Sequence, residues 1–110
     1  MQIYKFNKTE FDGVNAKLLY EDKFSKEICL SMAKSSFMKE HFAPSPIKVQ
    51  VLKGSIEFGV GDEKVILSQF DMIALDSMIK HSLKANEDSI IRLSLSLNDT
   101  FSRVEEVLNK

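Results

Sequence analysis

Two histidines, His41 and His81, are the side chains best suited to chemistry in this 110-residue chain. A neutral imidazole can ligate a divalent metal ion, or offer a small molecule one donor and one acceptor. Metal sites generally draw three or four ligands from the protein. Two imidazoles alone can hold zinc, nickel, iron or manganese only weakly, with water in the remaining positions. No neighbouring acid completes the set by spacing. Glu40 adjoins His41 and on a strand would face the other way. Glu57 stands between Ile56 and Phe58, which look inward, so it looks out. Asp71 and Asp76 flank a strand and loop before His81, and Asp76 is the acid with most reach. Cys29 is the only cysteine, so an intrachain disulfide and a cysteine-rich zinc site are both excluded. It lies in the strand-like run KEICLSMAK with no histidine or helix start beside it, and is expected to be a small buried hydrophobe. The chain has no glycine-rich phosphate loop and no informative Ser-His-Asp spacing.

The elements that must position the histidines have a period of two. In EICLSM, Ile28, Leu30 and Met32 alternate with Cys29 and Ser31. The same alternation runs through IKVQVLKG, SIEFGV and IIRLSLSLN. One face of each strand is therefore buried and the other wet, the pattern of antiparallel sheets. Turn signals punctuate these runs at short intervals: APSP, LKG, VGDE with its Gly61-Asp62 pair, and ANEDS. Such spacing predicts a β-sandwich or small barrel. The end of the chain changes period. Phe101, Val104, Val107 and Leu108 share one helical face, which predicts a short amphipathic helix over about residues 100–109.

Length and charge narrow the function classes. One domain with one core, spanning 1–110, fits the length. The formal net charge is -1 with acids and bases interspersed, so there is no basic patch for nucleic acid. No apolar run approaches the roughly 20 residues of a membrane span. The opening MQIYKFNKTEF has no long apolar segment, and a cytoplasmic protein with no membrane partner is expected.

The run from His41 to about Leu97 resembles the small single-domain cupins, the RmlC-like jelly-roll family. Their first motif reads Gly, five residues, His-x-His, three or four residues, Glu, six residues, Gly. On this chain Gly54 takes the closing glycine and His41 the first histidine, while Ser35, Ala43 and Ile47 stand at the opening glycine, the second histidine and the glutamate. Their second motif reads Gly, five residues, Pro-x-Gly, two residues, His, three residues, Asn. His81 takes the histidine, and Phe70, Asp76, Met78 and Ala85 replace the glycine, proline, glycine and asparagine.

The resemblance implies an all-β double-stranded β-helix, with a barrel core over about 26–97 and both histidines at one end of the barrel. The family's metal ligands are the three histidines and the glutamate, so His41 and His81 are the two metal-ligand positions kept. It also implies a small-molecule site around His41, Ala43, Ile47 and His81, and a homodimer. Three readings follow: a barrel that binds a small molecule with weak or absent metal; a metal-dependent dioxygenase or isomerase built on His41 and His81; and an interaction module whose sheet and terminal helix drive assembly.

Overall fold

The computed structural model describes residues 1–97, and the helix expected over 100–109 lies outside them. Every regular element among the described residues is a strand: β1 (Val14–Glu21), β2 (Ser25–Met32), β3 (Phe37–His41), β4 (Ile47–Lys53), β5 (Ser55–Val60), β6 (Glu63–Ser68), β7 (Met72–Leu75), β8 (His81–Ala85) and β9 (Ser89–Ser96). They form a five-stranded sheet in the order β1-β2-β9-β4-β7 and a four-stranded sheet in the order β3-β8-β5-β6. All the strand pairs are antiparallel.

The period-two residues do what alternation requires. Leu30, Met32, Val49, Val51, Ile56, Phe58, Leu83 and Ile91 form one buried cluster between the sheets. Burial is graded along the strands. Cys29–Met32 of β2 and Ser89–Ile91 of β9 are buried, whereas Ser25–Ile28 and Leu93–Leu95 are half-buried. Two tight connections close the well-packed end: Gly54 joins β4 to β5, and residues 86–88 join β8 to β9. Ser89, fully buried, ties them together: its hydroxyl donates to the Glu87 carbonyl at 2.7 Å and accepts from the Ser55 N–H at 3.1 Å. The start of β8 and the end of β3 lie at the other, looser end.

Turn chemistry follows the residues at two of the glycines. Gly61-Asp62 makes the two-residue hairpin between β5 and β6, with φ of +60° at Gly61. Gly54 has φ of +90°, and a Cβ there would fall on the Ser89 hydroxyl and within 2.5 Å of the Asp88 carbonyl oxygen. Three other residues have positive φ without being glycine: Ser35 at 74°, Phe70 at 77° and Met78 at 67°. These are the three remaining positions at which the cupin motifs carry glycine. The backbone keeps the conformation where the sequence has lost the residue that favours it.

Residues 1–13 form an irregular arm before β1. It lies over the outer side of the five-stranded sheet, with Tyr4 edge-on to Tyr20 at 5.4 Å and Lys53 over the Phe11 ring at 5.2 Å. This cover accounts for the burial of Cys29, Ser31 and Ile90, whose side chains leave the sheet on the outer side.

Candidate functional site

The two histidines meet at the end of the barrel where β3 finishes and β8 begins. His41 and His81 are direct cross-strand partners between β3 and β8, with ring centroids 4.3 Å apart and planes at 60°. A β-bulge makes this pairing. Met38 opposes Leu83, and a regular ladder would then set Glu40 opposite His81. One extra residue on β3 brings His41 there instead. By period two Met38 and His41 would point to opposite faces; the bulge turns His41 to the face of Met38, the common use of a bulge beside a site. Glu40 is left exposed.

Each ring is locked the same way. His41 Nδ1 lies 2.8 Å from the Lys39 carbonyl oxygen, and His81 Nδ1 lies 3.0 Å from the Ile79 carbonyl oxygen. A carbonyl only accepts, so each Nδ1 carries the proton and donates it. In the neutral rings the lone pair is then on Nε2. His81 is 4% exposed and stacks on Phe58, centroids 5.5 Å apart and planes 7° from parallel. Burial holds its pKa below the usual imidazole value; the Ile79 carbonyl opposes that shift and His41 adds to it. In the neutral state the pair therefore offers two acceptors, with Phe58 stacked on one of the rings.

The other two expected positions supply carbon as well. Ala43 follows β3, half-buried against the core, and its carbonyl accepts from the Met78 N–H at 2.8 Å. Ile47 opens β4 in the opposite sheet, buried between Leu75 and Leu95 on the neighbouring strands. Glu57 points out as expected and pairs with Lys64 at 3.4 Å. No group of three His, Cys, Asp or Glu side chains among the described residues is placed to hold a metal ion. A resident ion bound by three or four protein ligands does not fit these residues. Two imidazoles with alanine and isoleucine at the other motif positions leave most of its coordination to solvent.

A second feature, absent from the sequence reading, lies on the outer side of the five-stranded sheet. A groove of about 770 Å³ runs over β2, β9, β4 and β7. A recess of about 420 Å³ opens between the sheet and the N-terminal arm, walled by Tyr4, Phe6, Tyr20 and Leu52. The two share Glu27, Gln50 and Arg92. Glu27 Oε1 accepts from Arg92 Nε at 2.7 Å, and both its oxygens lie 2.8 Å from the Ser94 hydroxyl. Burial pushes the Glu27 pKa up, but the bonds from Arg92 and Ser94 and the charges of Arg92 and Lys48 together hold it below the ordinary value. The wet face of an alternating strand carries no pattern of its own, which is why sequence alone did not single out this cluster. Asp76, the acid with most reach in the sequence, lines this groove. Cys29 is buried as expected, and burial pushes its thiol pKa up, the reverse of what a reactive cysteine needs.

No protein-family model and no curated protein matches the chain. Solved structures do. One is a cupin superfamily protein from Desulfitobacterium hafniense, 13% identical over 84% of each chain with a TM-score of 0.76. Another is an RmlC-like cupin protein from Desulfovibrio desulfuricans, 16% identical over 87% of this chain and 95% of that one, with a TM-score of 0.77. A third is an RmlC-like cupin from Shewanella frigidimarina, 15% identical over 91% and 95%, with a TM-score of 0.75. At these identities the likeness concerns architecture. No helix among the described residues is long and apolar enough to cross a membrane. The strand order, the paired histidines, the left-handed backbone at the motif glycine positions and the match to these structures lead to one statement: the chain has the fold of the small cupins.

Proposed function

We propose that the protein is a small-molecule-binding cupin whose ligand enters the histidine end of the barrel and donates hydrogen bonds to Nε2 of His41 and His81. The observation that carries this reading is the locking of both Nδ1 atoms onto backbone carbonyls, which presents two acceptors side by side. Apolar neighbours, among them Phe58, favour a ligand with an apolar body. Neutral acceptors favour a hydroxyl or N–H over a carboxylate, because a carboxylate brings lone pairs to lone pairs.

The test is a titration of ring-labelled protein at pH 7.5 with phenol, and with benzoate as the control. Phenol should shift both Nε2 resonances saturably, benzoate should not, and His81→Ala should abolish the response at His41. Equal response to both compounds, or none to either, would overturn the proposal. So would near-stoichiometric zinc, nickel, iron or manganese in tag-free protein prepared without chelator.

The proposal includes a homodimer. β1 is an outermost strand, exposed along nearly its whole length, with one edge unpaired among the described residues. Val14 and Leu18 continue the inner apolar face beyond the second sheet and are exposed. Free strand edges of this kind are templates for pairing with another chain. Sedimentation should show a dimer that Leu18→Glu weakens, and a parent that is monomeric at all concentrations removes the homodimer from the reading.

A further inference from the structure

We propose that the outer groove and the arm-covered recess form one binding site for an aromatic amino acid in its zwitterionic form. The site's charged groups lie on the outer face of the sheet and do not include the histidine pair, although the groove's lining reaches Ile47 and Ile79. Its charged groups follow from strand register. Glu27 on β2, Ser94 on β9 and Lys48 on β4 lie side by side across the sheet, and Arg92 and Gln50 form the next row. Arg92 is thus a diagonal neighbour of both Glu27 and Lys48, within reach of long side chains. Its Nε is spent on Glu27, the guanidinium's one hydrogen bond among the described residues, so both Nη groups remain to receive an anion. Lys48 stands beside it, and its charge is felt at Glu27.

The acids balance the bases. Two cations, Lys48 and Arg92, and two anions, Glu27 and Asp76, line the groove. A ligand with net charge would leave one pair unanswered, whereas a zwitterion answers both. The carboxylate goes to Arg92 Nη and Lys48 Nζ. The ammonium goes to Glu27 Oε2, which among the described residues accepts from Ser94 alone. The recess beyond Arg92 and Gln50 then takes the side chain. Tyr4, Phe6, Tyr20 and Leu52 form its walls, and the edge-on contact of Tyr4 with Tyr20 shows the geometry that a third ring would extend. Tyr20 is brought to this side by the β-bulge between Leu18 and Tyr20, after which Tyr20 opposes Glu27.

The test is a titration of isotope-labelled full-length protein with L-phenylalanine and L-tryptophan, followed by backbone amide shifts. The expected result is saturable shifts at Glu27, Gln50, Arg92 and Ser94, with His41 and His81 unmoved. Phenylacetate, phenethylamine and L-alanine each lack one of the three recognised groups and should bind at least about tenfold more weakly. Lys48→Gln and Tyr4→Ala, both at exposed positions that leave the core intact, should each weaken binding about tenfold. No saturable shift up to ~10 mM ligand, well past the millimolar affinity that a few such contacts supply, would overturn the proposal. So would equal binding of phenylacetate, unchanged binding by the two variants, or a dimer in which a second copy seals the groove. Shifts confined to the histidines would overturn it too while supporting the barrel site, so the two proposals fail separately.

Discussion

Replacing Ser35 by glycine should make the protein more stable. Glycine at a non-glycine site in a folded domain ordinarily does the reverse. Ser35 has φ of 74°, in the region where an L side chain pays roughly 1–2 kcal/mol. Two backbone bonds hold it there: its N–H donates to the Ala85 carbonyl at 2.9 Å, and the Ala85 N–H donates to the Ser36 carbonyl at 2.9 Å. Glycine relieves the strain but adds freedom to the unfolded chain, which returns about 0.5–1 kcal/mol. Ser35 is exposed, and its hydroxyl makes no hydrogen bond among the described residues, so no packing is lost. The net gain is about 0.5–1 kcal/mol, or a rise in Tm of about 3–6 °C for a domain of this size.

Phe70 and Met78 share the conformation but not the outcome. Phe70 is 69% exposed, so about a third of its surface is covered. That is ~60 Å² of apolar contact, worth ~1.5 kcal/mol, which exceeds the net relief of about 0.5–1 kcal/mol. Phe70→Gly should therefore cost about 0.5–1 kcal/mol. Met78, 56% exposed, has ~80 Å² covered, worth ~2 kcal/mol, and should cost about 1–1.5 kcal/mol as glycine. Ser96→Gly, on an exposed strand position outside the positive-φ set, should cost about 0.5–1 kcal/mol. Urea denaturation of the four variants should show Ser35→Gly stabilised, Phe70→Gly and Ser96→Gly destabilised about equally, and Met78→Gly destabilised most. A Ser35→Gly variant that loses stability alongside Ser96→Gly would refute the claim that the motif conformation survives without its glycine.

Gly54→Ala combines positive φ with overlap on Asp88 and Ser89, so it should cost about 3–5 kcal/mol, whereas Gly61→Ala, with nothing within 4 Å, should cost only about 1 kcal/mol in the same urea assay. Buried His81 has its pKa lowered in the folded state, so the unfolded chain takes up the proton first. Its contribution to stability is complete above the ordinary histidine value and is lost as pH falls through that value toward the folded one, with a slope of at most about 1.4 kcal/mol per pH unit; His81→Phe should remove this slope from urea midpoints measured between pH 5 and 8. Cys29 should resist a thiol reagent in the native full chain, and deleting residues 1–12 should speed its labelling by at least about tenfold while the amide spectrum of the barrel is kept.

What could be read in the sequence was whatever depends on period and turn chemistry. Ile28, Leu30 and Met32 point inward, Glu57 points out, and Gly61-Asp62 is the hairpin, because alternation and glycine's tolerance of positive φ act locally. The cupin resemblance implied that His41 and His81 share one end of a barrel, and the two residues are cross-strand partners. Two other features escaped. The bulge that turns His41 inward leaves no mark in FMKEH, since an extra residue in a strand is defined by the partner strand and not by its own side chains. The arm over Cys29 and the cluster of Glu27, Arg92 and Ser94 lie on the wet side, where many polar residues serve equally well and pattern says little.

The chain has the cupin fold with other residues at two of the motif ligand positions and three of the motif glycine positions, because the fold and a metal site of that kind rest on different parts of the chain. The fold rests on backbone geometry. Gly54 lies against Ser89, the two-residue hairpin sets the register of β5 and β6, and left-handed residues at 35, 70 and 78 are held by main-chain bonds to Ala85, Val51 and Ala43. A serine, a phenylalanine and a methionine can occupy those three points for a strain of roughly 1–2 kcal/mol each. The metal site would have rested on side chains at 41, 43, 47 and 81, and two of these are now carbon. At position 47 the exchange favours the fold. The site is 4% exposed and bordered by Leu75 and Leu95, where an unpaired carboxylate would be costly and an isoleucine stabilises. Each histidine has a structural role of its own: a fixed Nδ1–H bond to a carbonyl and, for His81, a stacked face on Phe58. In the neutral rings those bonds put the lone pair on Nε2, so the arrangement that holds the pair in the fold also leaves it able to accept a hydrogen bond from a ligand.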